Sequence, residues 1–197
     1  MGKLIFVVGG AGAGKTTIAK GLASKRKLAF FDMDTLLRPA AVAIMTLQGL
    51  DPNDRDSPEY KRLCRDLGYR ITMDAALENV SIGIDAVVIG PFTKETEDAK
   101  WLEKELQMAG MTQDQVEVKV VVVHLSDEET YRSRFIARSS ELDKWKLDNW
   151  KSFKASLKRR EMAWPLKEGS ILYFDNSLAL SDDRLAMLEQ FVFGAKT

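Results

Sequence analysis

The residues of this chain that could do chemistry gather first near its N-terminus. Gly9-Gly10-Ala11-Gly12-Ala13-Gly14-Lys15-Thr16 fills the pattern G-x-x-x-x-G-K-[ST] in full, after the apolar run Leu4–Val8 and before a helical stretch. Small residues at Gly10, Ala11, Gly12, Ala13 and Gly14 let the backbone fold closely around phosphate with its N–H groups turned inward, and the following helix adds its positive end. Lys15 would reach the β- and γ-phosphates of a nucleoside triphosphate, the Thr16 hydroxyl would ligate Mg²⁺, and Thr17 is placed to contact the α-phosphate. The dinucleotide pattern G-x-G-x-x-G is not met, because Lys15 stands where its last glycine would be.

A phosphate loop fixes the nucleotide and not the reaction. A guanine-reading N/T-K-x-D is absent, since Thr93-Lys94-Glu95-Thr96 lacks the aspartate. A motor ATPase would end a strand in acids, but Val87-Val88-Ile89-Gly90-Pro91 has none, and the acids after Val123-His124-Leu125 come too late. Phe30-Phe31-Asp32-Met33-Asp34 offers two carboxylates at i and i+2 on the ligand edge of a parallel sheet. Asp32 suits Mg²⁺, and Asp34 suits orienting or deprotonating an attacking hydroxyl. Asp34 could instead cap a helix over 35–48.

A complete phosphate loop with Asp-x-Asp after the second strand resembles the small P-loop kinases: shikimate, gluconate and adenylylsulfate kinases, chloramphenicol phosphotransferase, and the zeta-toxin-like and polynucleotide-kinase-like proteins often described only as AAA-family ATPases. The resemblance implies a P-loop NTPase three-layer α/β sandwich, with a five-stranded parallel sheet ordered 2-3-1-4-5 and a helical lid. It also implies phosphoryl transfer from ATP, with Mg²⁺, to a small acceptor. Arg134 and Arg138, at i and i+4 on one helix face, resemble the Arg-x-x-x-Arg that opens the lid of such kinases and covers the phosphates. Arg132 lies on another face, and Lys144 and Lys146 follow as weaker candidates. Asp175-Asn176-Ser177 lies where these folds contact adenine, mostly through backbone, so side-chain identity there tells little. The acceptor belongs near residues 35–82, where Arg38 could meet an acidic group and Phe92 and Thr93 could line the pocket. The lid belongs near 134–160.

The elements that must position these groups follow from periodicity. Short apolar runs at Leu4–Val8, Leu28–Phe31, Ala86–Ile89, Val118–Val123 and Ile171–Phe174 suit buried parallel strands. Helical stretches fall around 15–26, 36–48, 57–82, 95–109, 127–138, 145–162 and 182–193, so the chain reads as α/β. Ser126 with Glu129 fits a capping box, Pro39 and Pro58 fit first helical turns, and Gly110 fits a helix stop. Arg70 and Asp74 fit an i, i+4 ion pair.

The chain has 197 residues, with 29 Lys plus Arg against 29 Asp plus Glu, one His and one Cys. That length suits one domain over 1–197. The even charge argues against a protein built to grip nucleic acid, although a polynucleotide 5′-hydroxyl kinase or an ATPase without its own acceptor would share the loop. No apolar run is long enough to span a membrane. A single Cys fits a reducing, cytoplasmic setting, and a lone His with a lone Cys leaves Mg²⁺, carboxylates and cations as the tools. Oligomeric state is not legible.

Overall fold

The computed structural model describes residues 1–140 and 143–194. The sheet consists of β1 (Leu4–Gly9), β2 (Ala29–Asp32), β3 (Ala86–Gly90), β4 (Val118–His124) and β5 (Ile171–Asp175). All pairings are parallel and the order is β2-β3-β1-β4-β5, as the resemblance implies. Alternate residues of the strands feed opposite layers. Leu4, Phe6 and Val8 pack with Met73, Ala76, Leu77 and Val80 of α3 (Pro58–Ser81) and Leu102 and Leu106 of α4 (Trp101–Met108). Ile5 and Val7 pack with Ile18, Ala19 and Leu22 of α1 (Lys15–Arg26) and Leu188 and Val192 of α8 (Asp182–Phe193). β1 is buried along its whole length, so it carries no polar face. β2 and β5 lie on the edges and are only half-buried.

The helix that opens the acceptor region starts earlier than periodicity suggests. α2 spans Met33–Leu47 because the Asp32 side chain accepts from the Asp34 N–H at 3.0 Å and caps it. Asp32, not Asp34, is therefore the cap, and Pro39 lies inside the helix rather than in its first turn. Pro58 does open α3, with Ser57 as its cap. α5 (Glu128–Arg138) is capped by Asp127, whose Oδ1 accepts from the Thr130 N–H at 2.7 Å, so the expected Ser126–Glu129 box is replaced. Ser126 instead bonds Ser177 across the β4 and β5 loops.

Two expected helices are shorter. Only Trp101–Met108 of 95–109 is helical, because Thr96 turns back onto the Phe92 carbonyl and Glu95 is buried. The stretch 145–162 breaks into α6 (Lys144–Asp148), α7 (Trp150–Phe153) and a 3-10 turn at Lys154–Leu157. One continuous helix would present one stripe. The broken path lays Trp150 and Phe153 against Phe135 and brings Leu157 beside Gly10. Residues 141–142 of the expected lid, and 195–197 at the chain's end, lie outside the described residues.

Candidate active site

The phosphate loop leaves β1 and turns at once, with Ala13 N–H donating to Gly10 O at 3.3 Å. Gly12 and Gly14 adopt φ of 78° and 93°, values that favour glycine. A Cβ on Gly14 would also lie 2.3 Å from the Asn176 amide nitrogen, and one on Gly12 would lie 2.9 Å from the Phe135 ring. α1 begins at Lys15, so its free N–H groups face the loop. Thr17 is exposed on its first turn.

Lys15 Nζ reaches back over the loop and donates to Gly10 O at 2.9 Å. Burial pushes its ammonium down to about 8, against the pull of Asp34 and Asp32, and Arg160 and Arg138 add to the lowering. Two carboxylates and two guanidiniums therefore act electrostatically on this one ammonium. The Thr16 hydroxyl donates to Asp32 Oδ2 at 2.8 Å. A hydroxyl and a buried carboxylate at this separation are hard oxygen ligands suited to Mg²⁺, which takes few protein ligands and fills its shell with phosphate and water.

Asp34 lies one residue into α2, its side chain 66% exposed, and Oδ1 accepts from Arg55 Nη2 at 2.6 Å. Arg55 lies between α2 and α3, in a segment rich in aspartate. Arg38 does not point free: it donates to Pro52 O and Asn53 Oδ1 and holds that segment to α2. Phe92 is wholly buried against Phe6, Tyr69 and Trp101, so it belongs to the core and not to a pocket wall; Thr93 beside it is partly exposed.

The two arginines of α5 face different partners. Arg134 donates to Ala13 O at 3.3 Å and to Asn176 O at 2.5 Å, on the outer side of the loop. Arg138 makes a two-pronged pair with Asp143 at 2.6 and 2.5 Å and lies over the Phe135 ring. Asp143 is buried and also pairs Lys146, which pairs Asp56 at 3.2 Å. Lys144 and Arg132 are exposed. His124 is partly exposed at the end of β4, level with Asp175.

Three side chains at this edge escape sequence reasoning. Arg55 is the lone cation among Asp51, Asp54 and Asp56, the one signal that could have marked it. Arg160 has a buried Nε with no partner among the described residues and carries charge near Lys15. Asn176 is 5% exposed and its side chain grips Ala13, so side-chain identity in the β5 loop does matter.

No curated protein matches the sequence. The fold is similar to that of a protein from Chloroflexus aurantiacus J-10-fl described only provisionally as a kinase, at 14% identity and TM-score 0.66 over 97% of this chain and 93% of the other. It is also similar to a sugar kinase from Janibacter sp. HTCC2649, at 18% identity and TM-score 0.60 over 98% and 97%. A third likeness is to a gluconokinase from Sinorhizobium meliloti 1021, at 15% identity and TM-score 0.51 over 97% and 89%. At these identities the likeness shows the fold. The sequence profile of an AAA domain family, AAA_33, matches residues 4–160, so the chain belongs to that family and has the small P-loop kinase fold.

Proposed function

We propose that this protein transfers the γ-phosphoryl group of ATP to a hydroxyl of a small acceptor. The observation that carries the reading is the Thr16–Asp32 contact of 2.8 Å with Asp34 two residues on, at the mouth of a complete phosphate loop. The loop amides from Gly10 to Thr16 and Lys15 would bind the phosphate chain, with Thr17 at its α-phosphate. Thr16 and Asp32 would hold Mg²⁺, which when bound supplies charge shielding between the phosphates.

Asp34 would accept the hydroxyl proton as the acceptor oxygen bonds to the γ-phosphorus, and ADP would leave with the electrons of the broken bond. The transition state is loose and asks little of a base, so orienting the hydroxyl is the larger part of that role. Arg55 would keep the Asp34 carboxylate aimed. Arg138 and Arg160, both near Lys15, would approach the equatorial oxygens. The segment near 35–82 would bind the acceptor, and 134–160 would act as the lid. Sugar and gluconate acceptors named for the structural neighbours support a polyhydroxylated acceptor as the first class to test.

The test is a metabolite panel scored by ADP release, with Lys15→Ala as the control. The expected result is stimulation by one chemical class in the wild type and none in the variant. Slow ADP release that no metabolite stimulates would replace this reading with an ATPase lacking its own acceptor.

A further inference from the structure

We infer that Asn176 is a positioning residue that sets the direction of the Gly14 N–H in the phosphate loop. The inference rests on the nucleotide reading of that loop. Asn176 follows β5, and its backbone N–H continues the ladder by donating to His124 O at 2.8 Å. The side chain therefore projects from a fixed point of the sheet. It is 5% exposed, and its Nδ2 donates to Ala13 O at 2.9 Å across 163 residues of sequence. The facing atom is a carbonyl, which can only accept, so the amide nitrogen must be the group that meets it.

A planar trans peptide points its C=O and the next N–H in opposite directions, and no cis bond occurs among the described residues. Drawing the Ala13 carbonyl toward Asn176 turns the Gly14 N–H away from Asn176, toward the space the loop encloses. Gly14 has no side chain to resist a flip of this plane, and its φ of 93° is one that glycine adopts readily. An outside restraint is needed, and Asn176 with the longer 3.3 Å bond from Arg134 supplies it. Arg134 also holds the Asn176 carbonyl, so the loop after β5 and the phosphate loop are joined at two points.

The other end of the amide argues the same way. Asn176 Oδ1 is buried with no hydrogen-bond partner among the described residues. An unpaired acceptor is unfavourable, and a residue needed only to fill this space would carry no amide. The donor is what the position uses. It follows that removing the side chain removes one bond and one unpaired acceptor together, which leaves the fold little changed while freeing the peptide plane.

The experiment measures ADP affinity, with Mg²⁺, and thermal midpoint for the wild type, Asn176→Ala, Asn176→Asp and Asn176→Leu. Alanine and leucine variants should melt close to the wild type and bind ADP on the order of 10- to 100-fold more weakly, the range for a lost bond to a charged group. Aspartate, nearly the same shape, should bind weakest, because its oxygen would face the Ala13 carbonyl. In isotope-labelled protein the Gly14 amide proton should move strongly downfield on ADP addition in the wild type and far less in Asn176→Ala. Folded variants that bind ADP as the wild type does would overturn the role of Asn176 alone. If neither alanine nor leucine folds, the residue is structural and the inference falls. A wild type that binds no ADP would overturn the nucleotide reading, and this inference with it.

Discussion

The ammonium of Lys15 is held against the Gly10 carbonyl of the phosphate loop among charges of both signs, and its titration follows from that placement. Burial depresses it to about 8 from 10.5, while Asp34 and Asp32 pull the other way. Between those values the unfolded chain binds more protons than the folded one, so stability should rise with pH across that window. Bound phosphate would favour the charged form, so ADP binding near pH 8 should take up protons and weaken as pH rises. Calorimetry in buffers of differing ionisation heat checks this; a binding enthalpy independent of buffer would refute it. Lys15→Ala should abolish turnover while leaving the fold intact, checked by the thermal midpoint. Asp34→Asn should cut transfer by about 10²–10⁴-fold, the range for an acid–base group, with ADP affinity unchanged. Unchanged transfer would show that Asp34 is neither base nor acceptor-orienting group. Arg55→Ala should raise the acceptor KM and lower kcat, with Arg55→Lys recovering part of both, because the lysine keeps charge but not the fork.

Elements decide which of these groups meet, and here sequence and structure part at identifiable points. α3 is fixed locally: Ser57 accepts from the Tyr60 N–H at 3.1 Å and Pro58 takes the first helical position. Ser57→Ala should cost about 1 kcal/mol in a denaturant titration, and no change would mean the Pro58 turn suffices. The strands, their parallel character and the loop at Gly9–Thr16 were legible because each depends on a short run and its immediate flanks; the order of the strands followed only from the resemblance to small P-loop kinases. The ends of α4 and the broken path through 144–157 were not, because tertiary contacts set them. Trp164 stacks on Trp101 and donates to Glu95 O at 2.7 Å, a pairing 69 residues apart. Arg55 against Asp34 and Asn176 against Ala13 were hidden for the same reason: their partners are fixed only once the sheet is assembled. Arg134 and Arg138 were legible as a pair on one helix, but their division between Asn176 and Asp143 was not.

Across the whole molecule, the balance of 29 cations and 29 anions conceals a chain of charges running over the cleft. Arg138 pairs Asp143, Asp143 pairs Lys146, and Lys146 pairs Asp56, next to the Arg55 that holds Asp34. Adjacent residues of one loop thus touch both the proposed acceptor-binding carboxylate and the segment over the phosphate loop. Asp143 and Lys146 are largely buried, with side chains 3% and 13% exposed, so salt screens this link less than it would a surface pair. Lys146→Met keeps the length of the side chain and removes its charge. Residues 51–57 and 144–157 should then exchange their amide hydrogens faster, while β1, β3 and β4, buried in the core, should keep their protection. If the loop truly aligns acceptor and lid together, the acceptor KM should rise in the same variant with ADP affinity little changed. Exchange that stays as slow as in the wild type would mean the apolar contacts of Trp150, Phe153 and Leu157 hold the segment without the ion pairs, and that the charge chain has no part in closure.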